Sequence, residues 1–63
     1  MFYFQPKYSK GTILRHKPTG EIFEVAEICF NEPVEVVSKR GNRYKFRFDD
    51  VERWDEMNQK VIT

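Results

Sequence analysis

The chain has 63 residues, one cysteine, one histidine and a formal net charge of +1. Those values exclude an internal disulfide and a zinc set of cysteines and histidines, and they argue against a global field for polyanions. The core must come from apolar burial, chiefly from six Phe, three Tyr and one Trp, with each fully buried Phe contributing on the order of 1.5–3 kcal/mol.

A chain this short makes one domain near the lower limit for an unstapled core. The lone Cys29 suits a reducing compartment. Neither an apolar leader segment nor a membrane-length apolar run is visible. The expectation is a cytoplasmic domain over residues 1–57 followed by a frayed tail over 58–63, in which Val61-Ile62 has the option of docking.

Phe2-Tyr3-Phe4-Gln5-Pro6 reads as an edge strand stopped at the proline. A small interior has limited room for ten rings, so Phe2, Tyr3, Phe4 and Tyr8 are candidate exposed protein contacts. Gly11–His16 reads as the next strand, and Lys17-Pro18-Thr19-Gly20-Glu21 as a turn that sets Lys17 opposite Glu21 and places Gly20 at positive φ. His16, beside that turn, is a half-exposed strand residue. Glu21–Phe30 reads as one long strand whose apolar doublets, Ile22-Phe23 and Ile28-Cys29-Phe30, require a bend or bulge. Within it Cys29 is a small buried hydrophobe.

Val34–Phe48 is a β-hairpin on its period-two pattern of Val34, Val36, Phe46 and Phe48. A loop of Arg40-Gly41-Asn42 sets Val36 opposite Phe46, Val34 opposite Phe48 and Glu35 opposite Arg47, with Asn42 in the left-handed conformation. Asp49 with Glu52 suggests a capped helical turn near residues 50–53, from which Val51 and Trp54 plug one end of the core. A short last strand then follows from Trp54.

Charge alternates in blocks: basic over 1–17, acidic over 21–35, basic over 39–47 and mainly acidic over 49–56. Cross-strand pairing of consecutive blocks accounts for all four, whereas a phosphate-binding stripe accounts only for the third.

The order of these elements resembles the Src-homology-3-like small barrels. Lys10-Gly11-Thr12-Ile13-Leu14-Arg15-His16-Lys17-Pro18-Thr19-Gly20-Glu21-Ile22-Phe23-Glu24-Val25 looks like their opening hairpin, as in short phage-encoded proteins and KOW- or Tudor-like domains. Phe48-Asp49-Asp50-Val51-Glu52-Arg53-Trp54 looks like their closing turn and strand. The resemblance covers residues 10–57 and rests on pattern; the Ala-Leu-Tyr-Asp-Tyr-type run of peptide-binding members is absent. It implies an all-β, small five-stranded antiparallel barrel.

No phosphate loop, Cys-x-x-Cys pair or supported nucleophile–histidine set is present in the sequence. The expectation is therefore a non-enzymatic binding module without cofactor, metal or small-molecule substrate. The near-neutral net charge favours a protein partner or a second copy, met through exposed aromatics or an unpaired sheet edge. The alternative is nucleic acid held by Lys39, Arg40, Arg43 and Lys45.

Overall fold

The computed structural model describes residues 5–62. Six strands form: β1 (Ile13–His16), β2 (Ile22–Val25), β3 (Val34–Val37), β4 (Arg43–Phe46), β5 (Val51–Asp55) and β6 (Lys60–Val61), with a 3-10 turn at Phe48–Asp50. Their order in the sheet is β4-β3-β2-β1-β5-β6, antiparallel at every junction. The fold is all-β, as expected. No ladder joins β4 to β6 among the described residues, so the sheet is curled but open. The sixth strand comes from the segment expected to fray: Trp54 pairs with Val61 and Asp55 with Lys60. Asp55 organises the turn between β5 and β6. It accepts from the amides of Met57 (3.0 Å) and Asn58 (3.2 Å) and from the Asn58 side chain (2.8 Å).

The period-two pattern decides which face is buried. Leu14, Phe23, Val25, Val34, Val36 and Val51 point inward and are buried, joined by Tyr8 and Cys29. Phe46 and Phe48 pack against this cluster from its margin. The hairpin β3–β4 keeps the expected inward faces but not the expected pairing. Val34 stands opposite Phe46, Glu35 opposite Lys45 and Val36 opposite Tyr44. The Ser38 amide donates to the Asn42 carbonyl (2.8 Å) and the Gly41 amide to the Ser38 carbonyl (2.9 Å). The three loop residues are thus Lys39-Arg40-Gly41, and Gly41 at φ +89°, not Asn42, takes the left-handed position. Moving the loop back by one residue shifts the pairing by two, which leaves every side chain on its original face.

The other differences have equally local causes. In the β1–β2 turn the His16 amide donates to the Glu21 carbonyl (2.8 Å), so His16 rather than Lys17 faces Glu21. Gly20 adopts the expected positive φ of 76°. The long strand ends at Val25, and only an isolated bridge between Tyr8 and Cys29 follows it. Phe23, Val25 and Cys29 all point inward, so the segment breaks without swapping faces, and Ile28 and Phe30 are left exposed.

The helical turn lies at Phe48–Asp50, ahead of its expected place, and has no side-chain cap from its own N-cap residue, Arg47. Its first amide is satisfied from elsewhere: Phe48 N–H donates to Glu32 Oε1 at 2.8 Å. Val51 and Trp54 then belong to a strand, where a spacing of three puts them on opposite faces. Val51 enters the core and Trp54 lies half-buried on the outer face.

That outer face carries a second, thinner apolar strip of Ile13, Ile22, Val37 and Trp54, all half-buried. The Arg15 guanidinium crosses it, paired with Glu52 at 2.8 Å and 5.8 Å from the Trp54 ring.

Candidate functional site

Of the four residues expected as exposed aromatic contacts, Phe2, Tyr3 and Phe4 lie outside the described residues. Tyr8 is in the core at 5% exposure, which corrects the expectation for it. Its ring packs edge-on against Phe48 with centroids 5.6 Å apart. Two cations cover it: Arg53 lies 5.5 Å from the ring and donates to the Lys7 carbonyl (3.0 Å), and Lys7 Nζ sits 5.9 Å from the same ring. Burial pushes the Tyr8 phenol above its ordinary value against the opposing pull of Arg53. Burial likewise raises the Cys29 thiol, whose Sγ–H donates to the Asn31 carbonyl (3.2 Å).

The basic residues expected for nucleic acid, Lys39, Arg40, Arg43 and Lys45, are all exposed on the β3–β4 hairpin. Lys39 and Arg40 sit at its tip, and Arg43 and Lys45 on β4. The expected pair Glu35–Arg47 is replaced by Arg43 Nη1–Glu35 Oε1 at 2.8 Å. Lys39, Arg40 and Lys45 have no ion pair among the described residues.

What brings these side chains together is the topology, because β4 is the terminal strand of the sheet among the described residues. The hydrogen-bond phase of the hairpin shows which peptide groups are left over. Ser38 and Asn42 form a hydrogen-bonded pair. Alternation along an antiparallel ladder then makes Val36–Tyr44 and Val34–Phe46 the next such pairs. Independent support comes from β3, where the Glu35 carbonyl accepts from Ala26 (2.9 Å) and so faces β2. The peptide groups of Arg43 and Lys45 therefore point out of the sheet edge. Their side chains lie on the outer face beside Glu35, while Tyr44 and Phe46 lie on the inner face.

On the inner side of that edge the rings form a cluster. His16 stacks on Phe46 at 4.1 Å, Phe23 meets Phe46 edge-on at 5.2 Å, and Tyr44 meets Phe23 at 5.4 Å. Tyr44 remains 42% exposed at the rim. The Tyr44-x-Phe46 spacing places this ring on the inward face, opposite the basic row. Two shallow cavities adjoin the hairpin tip. One of about 100 Å³ is lined by Ile13, Ile22, Val37 and Lys39, and one of about 220 Å³ by Glu21, Ile22, Ser38, Lys39 and Arg40.

Among the described residues, no group of three or more His, Cys, Asp or Glu side chains could hold a metal ion, and no helix is long and apolar enough to cross a membrane. The chain matches no known family model, no curated protein and no solved structure.

Proposed function

We propose that the protein is a small, non-enzymatic, cytoplasmic binding module that receives an extended segment of a partner protein along β4. The observation that carries this reading is the pair of outward-facing peptide groups at Arg43 and Lys45 on an edge strand. Such groups are a template for strand addition, in which main-chain hydrogen bonds supply affinity and side chains supply selectivity. The resemblance to Src-homology-3-like modules, including short phage-encoded ones, belongs to the same proposal, with the open curled sheet taken as a variant of that barrel. Cavities of about 100 and 220 Å³ are small beside the roughly 300–1,000 Å³ of ordinary substrate pockets, in keeping with a surface that binds without turning over.

The test is selection of linear peptides against the folded protein, with hydrogen exchange read at each amide. Peptides that bind by strand addition slow exchange at Arg43 and Lys45. Lys45→Pro removes an outward N–H without removing a β3 ladder bond, and it abolishes their binding. Selected peptides that leave both amides unprotected would remove the reading.

One observation favours a second reading: Lys39, Arg40 and Lys45 are exposed on the same hairpin as the exposed ring of Tyr44, a combination suited to single-stranded nucleic acid. That reading requires a salt-dependent affinity whose slope shrinks when Arg40 and Lys45 become Ala.

A further inference from the structure

We infer that the segment received at β4 alternates acidic and apolar residues, and that it pairs antiparallel with its acids directly opposite Arg43 and Lys45. This rests on the strand-addition reading and gives its partner a chemistry.

The outer face supplies the charge preference. Residues of an added strand that stand opposite Arg43 and Lys45 share the face of those side chains. Arg43 is already engaged by Glu35 at 2.8 Å, whereas Lys45 has no ion pair among the described residues. Arg47 continues the same face in extended conformation, at φ −79° and ψ 152°. A cationic residue arriving here meets like charge at each alternate position, and a carboxylate meets an attractive one.

The inner face supplies the apolar preference. The residue opposite Tyr44 lands beside a ring that is 42% exposed and already stacked parallel to Phe46, with centroids 6.0 Å apart. A branched aliphatic or aromatic side chain there covers ring surface that the domain itself leaves in water. Alternation of the two faces along a strand imposes the period of two.

The backbone phase adds a constraint that composition alone lacks. Arg43 and Lys45 direct their peptide groups outward, so the residues opposite them form the hydrogen-bonded pairs of an antiparallel ladder. The acidic residues of the partner thus donate their N–H groups to β4. Those of the apolar residues point away.

The experiment uses the full chain, amide-resolved spectroscopy and short peptides of alternating glutamate and valine. The expected result is protection of Arg43 and Lys45, retained when the valines are N-methylated and lost when the glutamates are. Lys45→Glu, at an exposed position, weakens the glutamate peptide by up to about thirtyfold and transfers preference to a lysine–valine peptide, because it removes an attractive cross-strand pair and adds a repulsive one of similar size. Equal binding of the lysine–valine peptide to the unmodified protein overturns the acidic preference but leaves edge pairing standing. Survival of binding after glutamate N-methylation overturns the register. If no peptide protects β4, or if only an oligothymidylate perturbs it, both the inference and the strand-addition reading fall.

Discussion

His16 on β1 stacks on Phe46 on β4 with ring centroids 4.1 Å apart and planes 19° from parallel, although β2 and β3 lie between those strands. In a flat sheet the two backbones would be about 14 Å apart at ordinary strand spacing. The contact therefore measures how tightly the sheet curls over its small core. It also holds the edge strand, since Phe46 lies beside the outward-facing groups of Lys45.

The stack is expected to be energetically coupled. Phe46→Ala should destabilise by about 2 kcal/mol, below the range for a fully buried phenylalanine because the ring is only half-buried. His16→Ala should cost about 1 kcal/mol, and the double mutant should show a coupling of roughly 0.5–1.5 kcal/mol. Urea denaturation of the four proteins measures it. Strict additivity would mean that other contacts impose the curl.

Gly41 and Asn42 should respond unequally to alanine. Gly41 sits at φ +89° with open space around the position of a Cβ, so Gly41→Ala carries backbone strain alone, about 1–2 kcal/mol. Asn42→Ala should be nearly neutral, because what Asn42 contributes to the loop is its backbone: its amide donates to Ser38 Oγ at 3.2 Å. Thermal unfolding of the two variants distinguishes this loop from one closed by Asn42.

Glu32 should matter more than the acidic pair within the turn. It accepts the Phe48 amide at 2.8 Å from a loop sixteen residues earlier. Glu32→Ala should therefore destabilise by about 1 kcal/mol, a normal value for a lost cap. Asp49→Ala should have little effect on the denaturation midpoint.

The pH dependence follows from burial on one side and hydrogen bonding on the other. The Cys29 thiol and the Tyr8 phenol are both raised in the folded state, chiefly by burial. The folded protein therefore holds their protons longer than the unfolded chain. Stability is complete below the unfolded values, about 9 for the thiol and about 10 for the phenol, and is lost as pH rises through the higher folded ones. Asp55 behaves the other way: the Asn58 side chain and the amides of Asn58 and Met57 lower it. What it contributes is present above its unfolded value and disappears as acid titrates it through its folded one. Asn58→Ala should move Asp55 back toward an ordinary aspartate in a carbon-detected titration, without unfolding the domain.

The fold class and the inward faces were legible because alternation reports burial directly: Val34, Val36 and Phe46 sit where the pattern places them. Pairing was not legible, because a shift of two residues leaves that pattern unchanged, and the choice between Gly41 and Asn42 is a turn preference of small energy. The doublets Ile13-Leu14, Ile22-Phe23 and Val36-Val37 reflect apolar surface on both sides of the sheet, where the sequence reading expected a bulge in the second of them. Tyr8 was misplaced because its burial depends on a bridge to Cys29, twenty-one residues away, and on cover from Arg53. The basic residues of the candidate site were visible in the chain. That their strand ends the sheet among the described residues, with its peptide groups facing outward, is a property of topology alone.

That exposed border also governs how copies of the protein treat one another. Two β4 strands brought side by side in antiparallel fashion would set Arg43 of one molecule against Lys45 of the other, and the reverse. Concentrated solutions should stay monomeric at low ionic strength and begin to pair into dimers along these borders once salt mutes the repulsion. Neutralising both cations would remove this safeguard, leaving a sticky seam where the native protein has a guarded one.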